Sequence, residues 1–383
     1  MAHGRLALRF EIRSLAATAI VLLACCGSPA ATKMYWGDSF TNSIYRANLD
    51  GSGLETVISL PLAADPLRSG IARLAIDSRA GLLYWTDTNT RLVQRANVDG
   101  SNITTLVDLN AIQNIYPGDI ELDLVHGKMY FTANGLYRAN LDGTQVEPLI
   151  TDSRIAGIDV DHVNRRLYMT SFVCLGESQG DCVHRSDLDG SNFETLITGV
   201  GGAGFDIDAI EVDPTSGKMY YADEDNGRIY EANLDGSNNV LFYEATLNTV
   251  GHGLAIDQTN RRLYWANASW QVPDPNGDIE LRGSIGYSDL GVPDPNDEFA
   301  QTVIASGLPR GIVLDDPLPV PEPHTSSLAF AAAFVIFCAR RRRARNKGDG
   351  NLFRQRIAYR FPAAPSATSR HTKSSTHALI SAA

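Results

Sequence analysis

From residue 33 to residue 315 the chain alternates apolar and polar positions in short runs, broken by clusters of Gly, Asn, Asp and Ser. Alternation with period two predicts half-buried β-strands, and the clusters predict the turns between them. The runs recur as a phrase. "IYRANLDGSGLETVI" (44–58) returns as "VQRANVDGSNITTLV", "LYRANLDGTQVEPLI", "VHRSDLDGSNFETLI" and "IYEANLDGSNNVLFY". The turn glycines Gly51, Gly100, Gly143, Gly190 and Gly236 are 49, 43, 47 and 46 residues apart, a period that signals a repeat architecture. Each copy reads as two antiparallel strands, C and D, whose Asp-Gly turn supplies the positive φ angles a tight hairpin needs.

A second pair of runs precedes each phrase, for example "LAIDSRAGLLYWTD" (74–87) and "IEVDPTSGKMYYAD" (210–223). Asp77, Asp123, Asp161, Asp213 and Asp257 each precede a tyrosine by seven residues (Tyr84, Tyr130, Tyr168, Tyr220, Tyr264), a constancy that pins the register of a hairpin of strands A and B. Gly81, Gly127 and Gly217, or Asn164 and Asn260 one place earlier, are expected to take the left-handed position in its turn. "KMYWGD" (33–38) is a B strand with no A strand before it, and "RGIVLDD" (310–316) is an A strand with no B strand after it. The fold predicted is all-β: a six-bladed β-propeller of four-stranded antiparallel blades, closed by residues 312–315 pairing with 34–38.

The B strands read "YWGD", "YWTD", "YFTA", "YMTS", "YYAD" and "YWAN". This series resembles the YWTD repeat of the low-density lipoprotein receptor class of six-bladed propellers, over residues 33–315. Blades 3 and 4 lack the motif's Asp, blade 6 has "YSDLGVPDPND" in place of the Asp-Gly hairpin, and no cysteine-rich growth-factor-like module follows, which departs from a receptor-type arrangement.

Charge and the two ends add an address. Arg5, Arg9 and Arg13 precede the apolar run 15–24 and the small residues of "CCGSPAAT", the layout of a signal peptide over 1–30. "LLAC" (22–25) also resembles a lipobox that would acylate Cys25; the simple signal peptide is preferred. A propeller domain then covers 31–318. Over 319–345, "VPEP" is followed by a short apolar stretch (328–339) and "RRRRAR", an order that resembles the bacterial PEP-CTERM sorting signal; an ordinary short transmembrane anchor is the alternative. Residues 346–383 are Ser-, Arg- and Ala-rich without periodicity and are expected to form a disordered basic tail. Residues 324–383 hold 11 Lys or Arg against one Asp, and residues 1–32 three Arg against one Glu. That leaves 19 basic and 42 acidic residues between them, a net −23 inside a chain of net −11. Such a domain is a poor partner for nucleic acid and a plausible one for a cation or a basic surface. In an exported domain Cys174 and Cys182, flanking "LGESQGD" in blade 4, are expected to form a disulfide contributing about 2–3 kcal/mol. A metal pair is the weaker alternative, with only His184 nearby.

Candidate chemistry lies where the A strands enter the channel. Two residues before each constant Asp stand Ala75, Glu121, Asp159, Glu211, Ala255 and Val313, so three consecutive blades offer a carboxylate. Glu121, Asp159 and Glu211 are candidate Ca²⁺ ligands, because Ca²⁺ accepts six to eight oxygens without fixed geometry. Solvation, or pairing with Arg73, Arg154 and Arg310, is the other reading and the favoured one. Asp119, Asp206, Asp208 and His252 are placed at the upper mouth, and Trp270, in the long loop 266–283 of blade 6, is a candidate ligand anchor on the same face, with folding back onto its own blade the favoured alternative. The repeated aspartates are assigned to turn capping and inter-blade bonds, and Trp36, Trp85 and Trp265 to packing. No nucleophile elbow, zinc-protease motif or phosphate-binding loop occurs. The function expected is a non-enzymatic, monomeric binding scaffold, exported and held at the bacterial surface. Its top face would engage a protein, peptide or polysaccharide, and the membrane would be touched only through the terminal segment. The alternative is a Ca²⁺-dependent lactonase-type hydrolase, as related six-bladed propellers imply.

Overall fold

The computed structural model describes residues 32–62, 70–112, 115–151, 154–174, 180–200, 207–245, 252–273, 279–291, 301–305 and 308–315, with backbone only for some of the last blade. The segments 1–30, 319–345 and 346–383, with their sorting and tail assignments, lie outside these residues, as do Asp206 and "VPDPN" (292–296). Among the described residues no helix is long and apolar enough to cross a membrane.

Six four-stranded antiparallel sheets follow one another along the chain. Their inner strands, from blade 1 to blade 6, are Pro309–Leu314, Ile71–Asp77, Ile120–Asp123, Ile155–Asp161, Ile207–Asp213 and Leu254–Asp257. Each inner strand contacts the next around the ring, including the last to the first. Closure occurs as the sequence implies: Val313 faces Tyr35, Ile312 faces Trp36, and the pairing runs on to Pro309 opposite Asp38. The last strand therefore begins three residues earlier than the apolar pattern suggested.

The four letters of the repeated B-strand motif have separate tasks. The tyrosine lies opposite the channel position of the inner strand in all six blades, as in Glu121↔Tyr130 and Glu211↔Tyr220. Trp36, Trp85 and Trp265 are buried in the packing layers. Thr86 accepts a bond from the Arg73 N–H and donates to the Gly118 carbonyl of blade 3, and Thr132 does the same between Asp119 and Ala156 of blade 4. A buried hydroxyl thus satisfies two inner-strand backbones at once. The terminal aspartate caps the next turn: Asp38 accepts from Phe40 and Thr41, and Asp87 from Asn89 and Thr90.

The constant aspartates cap the A–B turns, each accepting the N–H groups two and three residues on; Asp77 (from Arg79 and Ala80) and Asp213 (from Thr215 and Ser216) are examples. Asp213 also reaches the next blade, accepting from Arg261 and Gln258. The left-handed residue of these turns is Gly81, Gly127, Gly217, Arg165 and Arg261, so the expectation for Asn164 and Asn260 is corrected. Both asparagines instead donate their side-chain amides to the capping aspartate, which holds the turn so firmly that an arginine accepts φ near +58°.

The C–D turns also differ in detail from expectation. The positive φ falls on the glycine, not on the aspartate before it, and the Gly51 N–H donates to the Asn48 carbonyl, a type I turn with a bulge. These glycines face the outer strand of the preceding blade: a Cβ on Gly143 would stand 2.3 Å from the Leu106 oxygen, and one on Gly100 2.1 Å from that of Val57. From the other side an arginine crosses the same seam. Arg46, Arg95, Arg138 and Arg185 donate to the carbonyls of Val98, Leu141, Leu188 and Leu234 at 3.1, 3.1, 3.0 and 2.9 Å. The recurring phrase is thus an inter-blade joint. At the seam between blades 5 and 6 the arginine position holds Glu231, which binds Lys218 and the Tyr220 hydroxyl within its own blade.

Cys174 and Cys182 form a disulfide, with Cα atoms 5.3 Å apart and both side chains buried. Next to it His184 bonds Ser171 and Thr195, so it is occupied by hydroxyls and not by the sulfurs.

Candidate functional site

The inner strands of blades 1, 2, 4 and 5 each carry a register shift near their starts. A bulge bends the strand and re-aims its side chains, here at the mouth of the channel. Glycines let the inner backbones converge: a Cβ on Gly253 would lie 2.7 Å from the Gly311 Cα.

Two layers result. In the upper layer Arg73 of blade 2 donates Nη2 to Asp208 Oδ2 of blade 5 at 2.5 Å, an ion pair between blades that face each other across the ring, with Asp119 Oδ1 3.9 Å from the Arg73 Nε. The His252 Nε2 lies 2.9 Å from Glu224 Oε1, and its Nδ1 lies 3.6 Å from Asp208 Oδ2. Arg73 and His252 are buried, while Asp208 and Glu224 keep 19% and 28% of their side-chain surface exposed. Asp119, Asp208 and His252, which the sequence assigned to the mouth, stand near Arg73 or one another. The sequence did not mark Glu224, which comes from a B–C turn where no repeated spacing singles it out. Arg310 feels Asp208, Glu224 and Arg73, whereas Arg154 is exposed and stands apart.

In the lower layer Asp159 and Glu211 act on the blade beside them, and Glu121 on its own strand. Asp159 Oδ2 accepts the Val212 N–H and Glu211 Oε1 the Ile256 N–H; Glu121 Oε1 accepts the N–H of Leu122 in its own strand. Asp119 repeats the inter-blade bond, accepting the Ile158 N–H. Asp119, Glu121, Asp159 and Glu211 are each partly buried.

Electrostatics follow from that enclosure. Burial first, then the neighbouring Asp159 and Glu121, holds Glu211 well above the ordinary carboxylate range, and burial with Asp159 does the same to Glu121. Burial pushes Asp159 to about 7 and Asp119 to about 6, in the latter case against the pull of Arg73. Asp208 is buried too, but Arg73 and His252 overcome that penalty and hold it far below the usual range. Conversely, the neighbouring carboxylates of Asp208 and Glu224 raise His252 despite burial. Burial and Arg73 lower Arg310.

The loop expected over 266–283 is largely strand. Arg262–Pro273 pairs with Ile279–Asp289 as a β-ribbon that continues past the blade, with Ala268 opposite Gly283 and Pro273 opposite Ile279. Hydrogen bonding of the blade 6 hairpin simply continues outward, which polar and proline residues concealed in the sequence. The Trp270 backbone lies in this ribbon, where the register shifts between Ser269 and Val272; its side chain is outside the described residues. Strand B ends where strand A begins, so the ribbon leaves the blade on the face of the channel mouth. Exposed Phe40, Leu62, Tyr116 and Ile112, the last in the one-turn helix Leu109–Ile112, belong to connections on this face as well.

Residues 81–116 match the low-density lipoprotein receptor repeat class B. Among solved structures, a chain from a crystal structure of a nidogen/laminin complex is 19% identical with TM-score 0.58, over 74% of this chain and 98% of that one. TolB from Acinetobacter baumannii is 15% identical with TM-score 0.53, over 76% and 67%. A TolB from Agrobacterium tumefaciens is 12% identical with TM-score 0.50, over 73% and 91%. At these identities the likeness is one of fold.

Proposed function

We propose that this chain is an exported, surface-associated binding scaffold whose mouth face engages a protein, peptide or polysaccharide and performs no chemistry there. The observation that carries this reading is the mutual engagement of the mouth groups. Arg73 is spent on Asp208, His252 on Glu224, and Asp119, Asp159 and Glu211 on backbone N–H groups of adjacent blades. A general base needs reach to a substrate proton, and here the titratable groups hold the ring together instead. The projecting ribbon and the exposed apolar side chains supply contact surface on the same face. The buried disulfide supports an oxidising compartment, and the segments 1–30 and 319–345 supply the sorting signals. The nidogen/laminin structure is of a complex, which supports a propeller of this shape as a protein-binding platform.

The test is binding of surface-protein extract and of an oligosaccharide array to the intact chain, compared with a variant whose residues 268–282 are replaced by a short turn. Retention of at least about tenfold more ligand by the intact chain is expected, roughly 1.4 kcal/mol. Equal retention by both proteins sinks the assignment of the face.

A Ca²⁺-dependent hydrolase is the second reading, and it rests on the three lower carboxylates. An all-oxygen set suits Ca²⁺. As placed, each of the three already spends an oxygen on a backbone N–H, and among the described residues the set of ligand atoms that lie within 4.8 Å of one another comes from Asp208, Glu224 and His252 instead. Calcium up to millimolar concentration that leaves the melting temperature unchanged removes this reading.

A further inference from the structure

We propose that Asp208, Glu224 and His252 form a binding site for a first-row divalent transition ion, of the Zn²⁺ or Mn²⁺ class, at the channel mouth. One ligand atom from each of the three lies within 4.8 Å of the others, in two adjacent blades. The second observation is His252 itself. Its imidazole is 1% exposed, and Nδ1 is buried without a hydrogen-bond partner, 3.6 Å from Asp208 Oδ2. Burial without a partner costs free energy, and an ion seated between Nδ1 and the Asp208 carboxylate would offset that cost.

The imidazole stands between the two carboxylates, with Nε2 2.9 Å from Glu224 Oε1 and Nδ1 3.6 Å from Asp208 Oδ2, so an ion that takes the place of a ring proton has both carboxylates within reach. The backbone holds the residue from both sides, since the His252 N–H donates to the Ala266 carbonyl and its own carbonyl accepts from Gly311. Arg73 fixes the Asp208 carboxylate in the same way. The partial exposure of Asp208 and Glu224 provides the entry path from solvent.

An imidazole with two carboxylates suits Zn²⁺ or Mn²⁺, whereas Ca²⁺ takes oxygen ligands. Three protein ligands leave a coordination position for water or for a group of the bound partner. This site is independent of the ribbon, so its failure leaves the binding reading intact.

The experiment uses the full chain stripped with a chelator and titrated with Zn²⁺, Mn²⁺ and Ca²⁺, reading stoichiometry by calorimetry and stability by melting. Co²⁺ serves as a probe through its visible d–d absorption. One equivalent of Zn²⁺ or Mn²⁺ should bind and raise the melting temperature, with no comparable effect of Ca²⁺. His252→Ala and Glu224→Gln should each weaken binding by at least about tenfold, and His126→Ala, on the opposite face, should not. Glu224 lies in a partly exposed turn, so its variant keeps the test valid if His252→Ala fails to fold. Absence of saturable binding, equal response to Ca²⁺, or affinity undiminished in Glu224→Gln overturns the proposal.

Discussion

The two faces of this wheel are built by opposite rules. On the face of the A–B and C–D turns, one chemistry is copied from blade to blade. A capping aspartate accepts two N–H groups, a turn glycine abuts the preceding blade, and an arginine crosses the seam to a carbonyl. On the mouth face, equivalent positions carry different side chains: Arg73, Asp119, Gly157, Ala209, Gly253 and Gly311 occupy one layer of the six inner strands. Repetition marks what every seam needs for closure. Variation marks what a single site needs, because only unlike groups can form an ion pair across the ring or a cluster of unlike ligands. Turn-face substitutions should therefore cost stability whatever the pH, and mouth substitutions should change how stability depends on pH.

The largest effect is expected at a seam glycine. Gly143→Val forces a side chain at φ +83° into the Leu106 carbonyl, and should cost more than about 2 kcal/mol in denaturant unfolding. A loss below about 0.5 kcal/mol would show that blades 2 and 3 do not rely on this contact. Arg95→Ala should come next, at about 1–2 kcal/mol, because it deletes a charged donor to the Leu141 carbonyl and to the Tyr84 hydroxyl. Glu231→Ala, at the seam without the arginine, removes an in-blade pair only. If its loss equals that of Arg95→Ala, the arginine joint is not a seam device.

The smallest change is expected at the mouth, and its sign separates the faces. Glu121, Asp159 and Glu211 have folded-state pKa values raised above those of the unfolded chain, Asp159 to about 7. Their stabilising contribution is complete below the ordinary value near 4 and is lost as pH climbs through the raised values, about 7 for Asp159. His252 is also raised, so it loses stability in the same direction at higher pH. Asp208 is held low and stays ionised throughout this window. The melting temperature should therefore fall from pH 5 to pH 8, and Glu211→Gln should flatten that slope. An unchanged slope in this variant would mean that the lower acids are freely solvated.

Much of this was legible before any coordinates. Blade number, closure of 34–38 by the last strand, the Asp-capped turns and the Cys174–Cys182 bridge follow from spacing, since register in a sheet is set by period-two patterning and turn chemistry. The arginine of "YRAN" was visible as a repeat, but its partner is a backbone carbonyl about fifty residues away, and a carbonyl leaves no mark in a sequence. Glu224 was illegible for a related reason: it belongs to the site only because its turn lies beside His252 of the next blade.

The amino-acid sequence alone determined the repeat, the strands, the turns and the ring, because these depend on local conformational preference and on a periodic apolar face. Only the tertiary structure decided which charges meet. Asp208 and Arg73 are 135 residues apart and in facing blades, and Asp119 and Asp208, both acids at strand starts, acquire opposite shifts. Coulomb energy and desolvation depend on distance and enclosure in space, and neither quantity is written along the chain.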